Sequence, residues 1–191
     1  MSLHNELYFL IAAVLYPLWL AAAGVDYLCH RRTAIERTSG WRESAMHVLQ
    51  YMCIAPTVVL AALFTMSGFV LWFASAAMLL HTAIAYVDVS YTNRRRFISA
   101  LEQHVHGVMT IVPLVAIALL ALTDAEVAGS RATLRGEAGL STLQFALIFV
   151  TTALLGGIPV LEELRRTMRM RSAHPSGITP EPSAVPSRQD H

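Results

Sequence analysis

The chain has 191 residues, of which 55% are hydrophobic and only 14% charged, with a net charge of +1. A soluble domain carries about 25% charged residues, so this chain has too little charge to cover a water-facing surface. A soluble enzyme, a disordered protein and a disulfide-stapled scaffold are thereby excluded, and nucleic acid is not an expected partner. An all-α, polytopic membrane protein remains.

Five segments are long and apolar enough to cross about 30 Å of hydrocarbon. The first is Leu7–His30. Ala21-Ala22-Ala23 imitates a signal-peptidase site, but His4, Asn5 and Glu6 offer no positive n-region, so the segment reads as a permanent span. Glu43–Thr65 and Ser67–Tyr91 follow, joined by a tight hairpin at Thr65-Met66-Ser67-Gly68. Thr92-Asn93-Arg94-Arg95-Arg96 leads to the fourth span, Ala100–Thr123, and a polar loop, Asp124–Leu140, leads to the fifth, Ser141–Leu161. The chain thus divides into a bundle over residues 1–170 and a tail over 171–191, whose Pro175, Pro180, Pro182 and Pro186 predict disorder on the cytoplasmic side. Cys29 and Cys53 fall at different depths and are expected to be free thiols.

All fourteen basic residues are arginines. Twelve fall after spans one, three and five, and only Arg131 and Arg135 fall on the other side. Positive charge is retained inside, so the N-terminus is expected outside and the C-terminus in the cytoplasm, most simply across a bacterial inner membrane. Topology and lipid phosphates account for most of these arginines; holding a substrate anion is the alternative role for Arg31-Arg32 or Arg94–Arg96.

The ionisable residues within the spans are clustered. Span one ends with Asp26 and His30, and span two begins with Glu43 and His47. Span three carries His81 and Asp88, and span four begins with Glu102 and His106. On a helix, residues four apart differ by about 40° and residues seven apart by about 20°, so each pair shares a face. Alternating span direction brings all eight to one end of the bundle, near the cytoplasmic face. Intramembrane ionisable groups are functional candidates by default. Four carboxylates need cations, and carboxylate with imidazole suits iron, zinc or manganese. Inward-facing carboxylates and histidines on a helical bundle are a known way to hold two metals. The expectation is therefore a two-metal centre, iron favoured over zinc or manganese, held by Asp26, His30, Glu43, His47, His81, Asp88, Glu102 and His106. Glu36 is either a further ligand or a solvated partner of Arg32 or Arg37. His104 points away from Glu102 and belongs, with Gln50, Tyr51, Tyr86 and Tyr91, to a candidate outer shell. Glu162 and Glu163 adjoin Arg165 and Arg166 and read as an interfacial charge cluster.

In the kind of its ligands this set resembles membrane-bound dimetal oxidoreductases, such as lipid desaturases, hydroxylases and alternative quinol oxidases. The resemblance covers residues 26–106 and is one of constellation: HxxxH and HxxHH boxes are absent, and the spacing here is ExxxH where ferritin-like proteins have ExxH. It implies iron, dioxygen chemistry, a lipid or quinone substrate from the inner leaflet and a separate electron donor. A zinc-dependent hydrolase of a lipid or phosphate-bearing substrate is the alternative. A b-type cytochrome leaves the four acids unexplained, and a proton or metal transporter lacks a polar path through the outer halves of the spans.

Overall fold

A computed structural model describes residues 3–64, 67–123 and 141–173. The hairpin's residues 65–66, the loop over 124–140 and the tail beyond 173 lie outside it, so the expected disorder of that tail and the placement of Arg131 and Arg135 fall outside the described residues.

The first span consists of α1 (Leu3–Leu10), a π turn (Ile11–Leu15) and α2 (Tyr16–Arg32). Pro17 stands just after the π turn in a continuous helix, so its missing N–H takes one hydrogen bond out of the helical ladder there. Thr33 closes α2, and Ala34 takes a left-handed conformation (φ 48°) that turns the chain back under the bundle. A short 3-10 turn (Ile35–Arg37) then buries Ile35 completely. Gly40, at φ 74°, starts α3 (Trp41–Leu63) in a conformation that glycine adopts without strain. Ser67 caps α4 (Gly68–Thr92), its hydroxyl accepting from the Val70 amide at 3.3 Å. Ser99 does the same for α5 (Ala100–Thr123), accepting from the Glu102 amide at 3.2 Å. The fifth span is α6 (Thr142–Thr151), a π turn (Thr152–Gly157) and α7 (Ile158–Ala173). Its start is fixed by a reciprocal capping box between Ser141 and Gln144.

There are thus five helices long and apolar enough to span a membrane, and no strand among the described residues. Their limits fall within about two residues of expectation except at two ends. The first helix begins at Leu3, four residues before Leu7. The fifth continues through Ala173, twelve residues beyond Leu161, and carries Arg171 onto the face of Trp41, 4.5 Å from the ring centroid.

The helices close into a ring in the order α2, α5, α4, α3, α7, each packed on the next and α7 returning to α2. At mid-depth the interior is apolar: Trp19, Leu20, Ile54, Met78 and Val112. Val70 and Leu120 fill the end away from the arginines. Large apolar side chains such as Leu79, Trp72 and Leu122 point outward and form the belt a bilayer covers. At the arginine-rich end the interior is charged instead.

Candidate metal centre

The helical register delivers the expected residues. Asp26 and His30 face inward from α2, Glu43 and His47 from α3, Asp88 and His81 from α4, and Glu102 and His106 from α5; all are buried except His106, which is partly so. Two donor groups form in which every ligating atom lies within 4.8 Å of the others: Asp26, His30, Glu102 and His106, and His30, Glu43 and His47. These buried groups can hold a metal ion.

Distances give the arrangement. The Nε2 atom of His30 lies 3.4 Å from Glu102 Oε1, 3.5 Å from Asp26 Oδ1 and 3.9 Å from Glu43 Oε1. His106 Nε2 lies 2.9 Å from Asp26 Oδ1. His47 Nε2 lies 3.1 Å from Asp88 Oδ2 and 4.0 Å from Glu43 Oε1. Donors on one metal, with bonds of about 2.0–2.2 Å, stand about 3.0–3.5 Å apart, a range that these separations of 2.9–4.0 Å bracket. Neither His30 Nε2 nor Asp26 Oδ1 has an aligned hydrogen bond, though both are buried. Both atoms have charged or ring neighbours within 3.5 Å but no aligned bond, and a cation between them would supply a well-placed partner.

Two residues not expected at the site shape it. Glu163, on the extended part of α7, is 2% exposed. One of its carboxylate oxygens accepts from His47 Nδ1 at 2.7 Å, the other from His30 Nδ1 at 2.9 Å. Each Nδ1 thus carries a proton and both Nε2 atoms face the carboxylates of the other helices, the arrangement a carboxylate imposes behind metal-bound histidines. The two rings consequently stack, 4.5 Å apart and within 3° of parallel. The site therefore draws on five spans, not four. Arg96 is the second. It is buried while Arg94 and Arg95 stay exposed. Its guanidinium bonds Glu43 Oε1 at 2.5 Å and reaches both oxygens of Glu102. Burial opposes its charge, but the Glu102 and Glu43 carboxylates outweigh that and raise its pKa above the usual arginine value.

The remaining candidates fall elsewhere. His81 is buried but belongs to neither donor group; its Nδ1–H donates to the backbone carbonyl of Gln50 at 3.3 Å. Asp88 lies outside both groups and is held by His47, by Gln50 Nε2 at 3.1 Å and by Thr92 Oγ1 at 3.4 Å. Glu36 pairs with Arg166 on α7, so neither role foreseen for it matches its observed partner. His104 is exposed, as its angle from Glu102 requires. Tyr86 is exposed, and Tyr91 donates to the Ser39 carbonyl at 3.0 Å. Glu162, next to Glu163, behaves as expected at an interface, meeting Tyr27 at 2.8 Å and Arg31 at 3.2 Å. Cys29 and Cys53 are free and buried.

Fold and site together define a helical membrane protein with a buried carboxylate–histidine cluster able to hold metal. No protein-family model, curated protein or solved structure matches the chain.

Proposed function

We propose that this protein is an integral-membrane dimetal oxidoreductase, with two iron ions at the cluster and a lipid or quinone substrate drawn from the leaflet at its arginine-rich end. That end is the cytoplasmic face of a bacterial inner membrane on the twelve-to-two arginine asymmetry.

The observation that carries the reading is the stacked pair of His30 and His47. Their Nδ1 atoms share Glu163, and their Nε2 atoms flank a single oxygen, Glu43 Oε1, at 3.9 and 4.0 Å. The two imidazoles, stacked with their ring centroids 4.5 Å apart, would each hold an ion through Nε2. Glu43, whose Oε1 faces both Nε2 atoms, would help to hold the ions. Asp26, Glu102 and His106 would complete one side; on the other, Asp88 lies outside the donor groups but within 3.1 Å of His47 Nε2.

Charge supports the same count. Asp26, Glu43, Asp88, Glu102 and Glu163 bring five negative charges and Arg96 returns one. With the imidazoles neutral, as ligands must be, four remain, which two divalent cations would neutralise. Iron suits a donor set rich in carboxylate with some imidazole, and when bound it supplies one-electron and dioxygen chemistry. The chain's own residues hold the donors in place: Glu163 fixes two imidazoles and Arg96 fixes Glu43 and Glu102. A zinc hydrolase would use the same donors, but Arg96 is already committed to two carboxylates and is not free to take a phosphate.

Metal content of the purified full-length protein, measured by mass spectrometry against protein concentration, tests this. About two irons per chain are expected, falling below one in Glu43→Ala. Two zincs per chain would favour the hydrolase. No stoichiometric metal after expression with added iron would overturn the metal reading.

A further inference from the structure

A cavity of about 60 Å³ adjoins the donor cluster on its mid-membrane side. One water needs about 10–15 Å³ on this scale, so the cavity has room for a single ring or the first few atoms of a chain. His30, His47, His106, Asp26 and Glu163 line one end, and Ile54, Met109, Leu155 and Val160 the other. Leu155 is also 50% exposed on the outside of the bundle, and Ala23, Tyr27, Pro159 and Val160 are partly so. The cavity therefore reaches the lipid-facing surface between α2 and the fifth span, both of them membrane-spanning helices there.

Most of its polar lining outside the donor cluster is already engaged. Tyr27 donates to Glu162, Tyr51 to the Thr152 carbonyl at 3.2 Å, and the Gln50 amide to Asp88. Two groups are not. The indole Nε1–H of Trp19, a buried residue, has no partner among the described residues. His81 gives its Nδ1–H to the Gln50 carbonyl, which leaves Nε2 as a bare acceptor, and no hydrogen bond to it is found among the described residues. Trp19 lies seven residues before Asp26 and His81 seven before Asp88, on helices that run in the same direction. Each sits about 10 Å, or two turns, above the donor layer and on the same face as its acid. One donor and one acceptor thus stand unpaired in the same cavity, at the same depth.

We propose that this cavity binds the hydroxyl head of a lipid-soluble molecule, a hydroquinone or a long-chain alcohol. His81 Nε2 accepts from the O–H, Trp19 Nε1–H donates to the same oxygen, and the apolar tail leaves between α2 and the fifth span. This makes His81 a substrate-binding residue, not a metal ligand. It names the substrate chemistry of the dimetal reading and rests on that reading for the reaction that follows binding.

The test uses full-length protein in lipid nanodiscs, with Trp41→Phe and Trp72→Phe leaving Trp19 as the reporter. 2-Bromododecan-1-ol, whose bromine quenches indole on contact, is titrated beside its methyl ether, which lacks the O–H. Saturable quenching by the alcohol, at least tenfold tighter than by the ether, is expected. His81→Asn keeps an amide N–H where Nδ1–H was but places nothing at Nε2; it should weaken binding at least tenfold with metal per chain unchanged. His81→Gln, which reaches the Nε2 position with an acceptor, should recover part of the loss. Competition by dodecanol and by a short-tailed prenyl hydroquinone tells the two sources apart. Equal quenching by alcohol and ether, or unaltered binding in His81→Asn, would overturn the site. Loss of metal in His81→Asn would make His81 a ligand and equally overturn it. Saturable binding by a wild-type protein free of metal would leave this site standing while the dimetal reading fails.

Discussion

The two ends of this bundle are built from the same helices on opposite principles. Away from the arginines, Val70 and Leu120 meet with Tyr8, Ile11, Phe64 and Leu71 around them. Lipid tails are as apolar as these side chains, so what these contacts contribute is packing rather than exclusion from water. At the arginine-rich end, five carboxylates, three imidazoles and one guanidinium are withdrawn from water, and each must be matched or it costs several kcal/mol. A packed end tolerates substitution by small increments. A charged end fails when one partner is removed. A membrane protein has little reason to accept the second design unless the charges do something.

Arg96→Met should expose this difference most strongly. Glu43 and Glu102 would lose their common cation, and breaking a buried pair by removing one partner costs about 3–5 kcal/mol. Denaturant unfolding of metal-free protein in detergent should show a loss of that size, and metal-loaded protein a smaller one, because the metal then supplies the missing positive charge. An undiminished loss in loaded protein would mean that the metal does not reach those two carboxylates.

Glu163→Gln follows. The two Nδ1–H groups use different carboxylate oxygens, and in the amide one of these becomes an NH2 that donates instead of accepting. Disturbing such a partner lowers metal affinity about 10–100-fold. Competition with a chelator of known strength would measure it, and unchanged affinity would reduce Glu163 to a packing residue.

At mid-depth the effect should shrink. Met78 is buried in the apolar core beside Trp19 and Ile54. Methionine-to-alanine changes cost about 2–5 kcal/mol in soluble cores. In lipid the transfer share of that cost is missing, so Met78→Ala should cost about 1–2 kcal/mol and leave metal content untouched. A loss of metal would show that the charged end depends on the packed one.

How much of this was legible in the chain follows from the range of each signal. Hydropathy and helical register are local, so five spans and the inward faces of Asp26, Glu43, Asp88 and Glu102 could be read from their spacing. Arg96 could not. It is the last of three identical residues, and only the turn that follows α4 sets it inward, against Glu43 and Glu102, while its neighbours remain outside. Glu163 was hidden for a related reason. It stands beside Glu162 and among arginines, a composition typical of a helix end at an interface, and the helix was expected to end at Leu161. Because the helix runs on to Ala173, Glu163 lies inside the bundle. The partner that matters for it, the paired Nδ1 atoms of His30 and His47, is more than a hundred residues away.

That adjacency supplies the smallest and sharpest test. Glu162 and Glu163 differ by one position and about 100° around the helix. The Glu162 side chain is 39% exposed and meets Arg31 at 3.2 Å and Arg166 at 3.4 Å. Exposed ion pairs contribute about 0–1 kcal/mol, and the oxygen of a glutamine would still accept from Tyr27. Glu162→Gln should therefore change stability by less than about 1 kcal/mol and leave metal affinity as it is, while Glu163→Gln lowers it at least tenfold. Two glutamates with the same neighbours in sequence would then be separated by burial alone. If Glu162→Gln stripped the metal as well, the ion pairs around Arg31 and Arg166 would be holding α7 in position, and Glu163 would act through the placement of its helix instead of through its two hydrogen bonds.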